Sequence, residues 1–266
     1  FFVFLLSCGQ DITYENNIKE DLIFLADDKL EGRKTGTEGE KLAAKYISER
    51  FEKLNLSDKG TENYYQDFYF GNNNNPHEEI EFNKESDNSQ IHARNVVGFL
   101  DNGGSNTVVI GAHYDHLGYG EESSLYFGDE VLIHNGADDN ASGTSLLLDL
   151  ANRLATKELK SNYLFIAFSG EEMGLLGSNY FLKNPTVSKD EINYMINMDM
   201  VGRLNEENKL SVSGVGSAKI FKQIVNSNNS NFNLVEFGSS STSSFGSSDH
   251  ASFYYEDIPV LSFFTG

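Results

Sequence analysis

The 266-residue sequence predicts an α/β fold: a mixed, largely parallel central sheet with helices on both faces, in three layers, α over β over α. Two observations predict it. The runs "RNVVGFL" from Arg94, "TVVIGAH" from Thr107, "YLFIAF" from Tyr163, "NYMINMD" from Asn193 and "PVLSFF" from Pro259 are short and nearly all apolar, as strands covered on both faces must be. Segments of helical period lie between them, and this alternation is the pattern that builds parallel sheets.

Taken in order, the chain opens "FFVFLLSCGQ", an apolar run that is similar to the tail of a bacterial lipoprotein signal with Cys8 as the lipidated residue. Residues 1–9 are therefore expected as the remnant of such a signal and 10–266 as a single domain; a short edge strand with a buried Cys8 is the structural alternative. From Thr37, "TEGEKLAAKYISERFEKLNL" carries Leu42, Tyr46, Ile47, Phe51 and Leu54 close to one helical face, and Thr37 with Glu40 fits a capping box. A polar stretch near residues 57–90, Asn-rich around Gly71 to Glu79, reads as a surface loop or insertion. Further helices are expected over Ser142 to Glu158, near "MGLLGSNYFLKN" and near "SAKIFKQIVNS". Beyond the opening run, nothing approaches the ~20 apolar residues of a membrane helix.

Composition bounds the function classes. With 20 Lys plus Arg against 40 Asp plus Glu, the formal net charge is -20, so nucleic acid is not an expected partner. The acidity reads first as a solvated surface, although a metal site would draw on the same carboxylates. Cys8 is the single cysteine, which rules out an intrachain disulfide.

The chemistry gathers where strands end, the place where open α/β sheets bind ligands. There the chain reads "GAHYDHLG", "HNGADDNASG", "SGEEMG", "NMDMVG" and "SSDHASF". One acid after a strand is ordinarily a helix cap or a solvated residue, but His, Asp or Glu recurs at all of these ends. Imidazoles and carboxylates without thiolates suit Zn2+ or a similar divalent ion. Two His and three carboxylates exceed what one catalytic metal takes, so a two-metal site with one bridging carboxylate is the economical reading.

The set "HYD", "GADDNASG", "GEEMGLLGS", "NMDM" and "SDHASF", in this order, resembles the co-catalytic zinc aminopeptidases, metallopeptidase family twenty-eight, which include bacterial leucyl aminopeptidases. The resemblance runs roughly from Ser89 to the end, and "LEGRKTGTEGEKLAAKYI" (Leu30 to Ile47) is similar to that family's amino-terminal helix region. It implies two zinc ions per chain: His113 and Asp199 on one, Glu172 and His250 on the other, and Asp139 rather than Asp138 bridging. It implies Glu171 as the general base, free of metal. Asp115, two residues past His113 on an extended segment, is expected to accept a hydrogen bond from the imidazole.

The implied function is an exopeptidase that removes amino-terminal residues from peptides with a two-zinc-activated water. The signal-like opening implies the bacterial cell envelope, with the protein lipid-anchored or secreted and in contact with membrane only through a lipid on Cys8. A one-zinc glutaminyl cyclase, a carboxypeptidase and a non-catalytic receptor domain are the alternatives. His116 and His134 read as rim or packing residues and Asp138 and Asp249 as turn or capping acids; the Ser-rich run before His250 reads as a mobile loop, not a source of a serine nucleophile. Family members continue past the final "PVLSFFTG", so a carboxy-terminal truncation is expected.

Overall fold

A computed structural model describes residues 8–71, 81–83, 90–121, 124–227, 231–236 and 248–266. The strands are β1 (Ser57–Asp58), β2 (Tyr65–Gly71), β3 (Phe82–Asn83), β4 (Gln90–Leu100), β5 (Thr107–His113), β6 (Asn162–Phe168), β7 (Ile192–Met198), β8 (Lys209–Ser213), β9 (Asn233–Glu236) and β10 (Val260–Phe264). They make one sheet in the order β3-β2-β4-β6-β5-β7-β10-β8-β9, with β1 also paired to β4. The centre, β6-β5-β7-β10, is parallel; β4 and β2 on one side and β8 on the other join it antiparallel.

The helices are α1 (Cys8–Leu25), α2 (Glu38–Lys53), α3 (Gly143–Ala155), α4 (Leu176–Lys183), α5 (Lys219–Asn226) and α6 (His250–Tyr255). Alternation along each strand divides the core between two faces. Val108, Ile110 and Ala112 of β5, with Phe165 and Ala167 of β6, pack under α1, α2 and α3 through Leu25, Ile47, Phe51, Leu147 and Leu148. Val109, Leu164, Ile166 and Phe168 point the other way, onto Phe181 of α4 and Phe253 of α6. Phe221 of α5 meets Tyr194 of β7 edge-on, with ring centroids 5.5 Å apart. The three layers are those expected from the alternation of strand and helix.

Local chemistry explains the boundaries. Thr37 caps α2 by accepting the Glu40 N–H, but Glu40 does not close the capping box. Its carboxylate turns inward, where Oε2 accepts the Gly36 N–H at 2.6 Å and Oε1 is hydrogen-bonded by the Ser169 hydroxyl.

The polar segment near 57–90 is a correction in part. β2 pairs with β4 along its whole length, and its alternate residues Phe68 and Phe70 are buried against Leu176 and Tyr180. The pattern escapes a search for continuous apolar runs because every second side chain faces outward. Cys8 opens a helix rather than an edge strand. Phe1–Ser7, the rest of the signal-like run, lies outside the described residues, as do residues 72–80 of the Asn-rich stretch and most of the Ser-rich run before His250. Among the described residues no helix is long and apolar enough to cross a membrane.

Candidate metal centre

From β5 the chain crosses through α3 to β6 on one side of β5, then through α4, on the opposite face, to β7 on the other side. The carboxyl ends of β5, β6 and β7 therefore open onto the crevice where the winding changes direction. His113 is the last residue of β5; Glu171 and Glu172 follow β6, Asp199 follows β7, and His250 opens α6.

His113 is buried. Its Nδ1 donates to the backbone carbonyl of Asp115 at 3.2 Å, which directs Nε2 toward Asp139 Oδ1 at 3.3 Å, Asp199 Oδ1 at 3.4 Å and Glu171 Oε2 at 4.0 Å. Burial works to lower its pKa, but the charges of Glu171 and Asp199 and the contacts with Asp115 and Asp139 reverse this and hold it well above the ordinary value. A second cluster stands beside the first: His116 Nδ1 is 2.7 Å from Glu172 Oε1 and 4.0 Å from Asp139 Oδ2. In each of the sets His113-Glu171-Asp199 and His116-Asp139-Glu172, potential ligand atoms lie within 4.8 Å of one another.

The Asp115 side chain does not do what its spacing implies. Its Oδ1 is 3.6 Å from His113 Nδ1, and its oxygens instead accept the backbone N–H of Glu171 at 3.1 Å, the N–H of Glu172 at 3.4 Å and the Thr35 hydroxyl at 3.0 Å. Two amides exposed where β6 ends draw a fully buried carboxylate more effectively than one imidazole already served by a carbonyl. Asp115 thus holds the glutamate pair directly.

Other residues fix the frame. Asn140 donates to the Met198 carbonyl at 3.0 Å and accepts from Met200 N at 3.1 Å, tying the residue after Asp139 to the strand end beside Asp199. Thr144 donates to the His113 carbonyl at 2.8 Å. Gly143 lets α3 approach that strand end closely, since a Cβ there would lie 2.4 Å from the Met198 carbonyl oxygen. Arg33, fully buried, donates to the carbonyls of Tyr114 (2.8 Å), Asn135 (2.6 Å), Gly136 (3.0 Å) and Leu25, clamping the segments that carry His113 and Asp139.

The donors fit divalent metal. Among the described residues neither ring nitrogen of buried His250 has a hydrogen-bond partner, and burial pushes the ring's pKa down to about 4 against the opposing pull of Asp199. A buried neutral imidazole with nothing to bind is suited to a cation. Burial pushes Glu171 up to about 9, with Asp249 and Asp199 adding to the rise and His113 opposing it. Asp139 is held below its ordinary value: burial would raise it, but the hydrogen bond to His113 and the charges of His113, His116 and Arg33 prevail.

Two residues read as bystanders sit apart from the clusters. Asp138 accepts from Gly202 N at 2.8 Å and pairs with Arg203 at 3.2 Å, and His134 meets the Ser124 hydroxyl at 2.6 Å on the rim. Three others are closer to the chemistry than their sequence context suggests. His116 bonds a glutamate of the set. Arg33 anchors the loops. Asp249, fully buried, is pushed up to about 7, burial outweighing the opposing charge of His113 and the contact with Ser178. The signal for Arg33 was its place in "LEGRKTG", a basic residue among turn-forming ones just before a helix.

An open, partly parallel sheet with imidazoles and carboxylates converging beside its strand ends is an α/β fold that carries a candidate metal centre. Residues 95–266, well over half of the chain, match the model of Peptidase family M28, and the chain belongs to that family. The aminopeptidase YwaD of Bacillus subtilis is 34% identical over 142 residues, which cover 52% of this chain and 30% of that protein, so the chain matches about a third of that relative's length. A Zn-dependent exopeptidase from Parabacteroides distasonis superposes with a TM-score of 0.69 at 19% identity, covering 95% of this chain and 82% of that one. A glutaminyl cyclase from Bacteroides thetaiotaomicron superposes with a TM-score of 0.66 at 17% identity, covering 94% and 82%. At these identities the two superpositions speak for the fold.

Proposed function

We propose that the chain is a metal-dependent aminopeptidase that holds two zinc ions. The observation that carries this reading is the position of Asp139, whose Oδ1 faces His113 of one cluster and whose Oδ2 faces His116 of the other. A carboxylate so placed suits a bridge. His113 and Asp199 would hold one ion, Glu172 and, as the resemblance implies, His250 the other, and Asp139 both, although among the described residues the imidazole standing with Asp139 and Glu172 is His116 and His250 joins neither cluster. Two ions bound there would polarise the scissile carbonyl and make water acidic enough to attack near neutral pH.

The chain's own residues do the rest. His113 is set by the Asp115 carbonyl to present Nε2. Glu171 lies beside the first cluster, its Oε2 4.0 Å from His113 Nε2, and would take a proton from the attacking water and then give it to the leaving amine. Asp115 fixes the backbone that carries Glu171. The similarity to YwaD supports the choice of aminopeptidase.

The test combines metal counting with a substrate panel. The expected result is two zinc ions per chain and release of amino-terminal residues from free but not amino-blocked peptides, abolished by a chelator. One tightly held zinc with cyclisation of amino-terminal glutamine, or release from the carboxyl end, would replace this reading. The run "FFVFLLSC" further supports a lipid on Cys8 and a place in the bacterial envelope; incorporation of a palmitate analogue, abolished by Cys8→Ala, is the matching experiment.

A further inference from the structure

We infer that the open cavity on the connection from β5 to α3 is a subsite for a Lys or Arg side chain of the peptide substrate. The inference rests on the peptidase reading above and adds a residue preference to it. The cavity measures about 550 Å³, and its walls include Tyr119, Tyr126, Asp129, Glu130, Val131 and His134. That volume is in the range of ligand-binding clefts.

Backbone contacts that build the metal centre also place this cavity. His116 N and Gly118 N donate to the Arg33 and Gly32 carbonyls, each at 3.2 Å, and His134 N donates to the Gly118 carbonyl at 2.8 Å. Arg33 in turn holds the Asn135 and Gly136 carbonyls at 2.6 and 3.0 Å. Gly136 is two residues from His134, at most about 7 Å of extended chain. It packs against the His116 ring, which stands 2.7 Å from Glu172. A peptide end seated at the centre therefore has the cavity within reach of one long side chain.

The lining selects shape and charge together. Lys34 pairs with Glu121 at 3.0 Å, whereas Asp129 and Glu130 are exposed and have no ion-pair partner among the described residues. His134 is already engaged, its Nδ1 donating to the Leu132 carbonyl at 3.1 Å and its Nε2 meeting the Ser124 hydroxyl at 2.6 Å. Gly128 lies so close to the Tyr126 hydroxyl that a Cβ there would overlap it, which lets that ring fold over its own loop. A Lys or Arg stem can lie along Val131 and the tyrosine rings with its charge turned to Asp129 and Glu130. Cations are attracted to the faces of such rings. The net charge of -20 extends the same complementarity to longer range. Leu125 and Phe127, almost fully exposed on the same segment, add apolar surface that an occupant would cover.

Peptides with Arg at the first or second position are compared with the same peptides carrying citrulline, its uncharged isostere. The enzymes are wild type and the double variant Asp129→Asn, Glu130→Gln, at matched zinc content. We expect wild type to prefer Arg by about tenfold in kcat/KM at one of the two positions, mainly through KM. The preference should shrink as salt rises. The double variant should lose most of it while hydrolysing the citrulline peptides as wild type does. Equal rates on both peptides in wild type, or a preference that the double variant keeps, overturn the inference and leave the peptidase reading standing. A double variant that slows both peptides alike also overturns it, pointing to a structural role. So does a wild-type dimer that the double variant dissociates with specificity unchanged, which assigns the cavity to a second copy. Hydrolysis of neither set by zinc-loaded wild type overturns the peptidase reading and the inference with it.

Discussion

Asp115 Oδ1 accepts the backbone N–H of Glu171 at 3.1 Å, so a carboxylate at the end of β5 fixes the residue that follows β6. Its other oxygen serves Glu172 N and the Thr35 hydroxyl. In Asp115→Asn an NH2 group must face at least one of these donors, leaving a buried donor unsatisfied at a cost of about 1–3 kcal/mol. The glutamate pair then loses its fixed backbone. We expect kcat on an aminoacyl anilide to fall about 10- to 100-fold at saturating zinc; an unchanged kcat would show that Asp115 does not position the pair.

The two glutamates should fail differently. Glu171 lies 4.0 Å from His113 Nε2 and so stands within reach of the first cluster, where it could be a ligand or a base. As a base, its replacement by Gln keeps both zinc ions and lowers kcat by about 100- to 10,000-fold. Glu172→Gln should instead lose one ion. Zinc content and turnover measured on the same preparations decide this: loss of metal from Glu171→Gln would move that residue into the ligand set.

The centre of the fold was legible because β5, β6, β7 and β10 are covered on both faces, so their sequences are apolar without interruption. β2 was hidden by its alternating pattern, and β8 and β9 by their exposure at the edge of the sheet. α6 is six residues long with no side-chain cap, too short for periodicity to show. Asp139 and His250, read as strand-end residues, stand at the entries to α3 and α6 instead, whereas His113, Glu171, Glu172 and Asp199 were legible because each ends or follows an apolar strand. His116 was not, since its meaning lies in Glu172, 56 residues further on, and spacing along the chain says nothing of that contact. Asp115 shows the same limit: its neighbour in sequence was readable, but its partners across the sheet were not.

Arg33 joins parts of the site that are far apart in sequence. Its guanidinium reaches carbonyls on both sides of the centre, Tyr114 beside His113 and Gly136 before Asp139. Lys cannot supply this fork, because its donors radiate from one atom. Arg33→Lys should therefore leave carbonyls unserved and lower stability by about 1–3 kcal/mol for each buried group left unpaired. Zinc affinity should fall with it. Urea unfolding of the metal-free protein measures the first effect and chelator competition the second; a variant with wild-type values in both would remove Arg33 from the framework.

Glu40 gives the metal-free protein a dependence on pH. Burial pushes its carboxyl from about 4.5 up to about 8, opposed by the hydrogen bonds from Ser169 and Gly36. Below about 4.5 the folded and unfolded chains both carry the proton; between 4.5 and about 8 only the folded chain keeps it. Stability from this group is therefore fully present at low pH and is lost as pH rises through that window, by at most about 1.4 kcal/mol per pH unit, with no further loss above it. Glu40→Gln mimics the protonated acid: its amide oxygen can take the Gly36 N–H and its NH2 can donate to the Ser169 hydroxyl oxygen. We expect the variant to match wild type near pH 5 and to exceed it near pH 8. Urea midpoints of the two metal-free proteins across this range supply the measurement, and parallel curves would mean that Glu40 enters the folded state ionised.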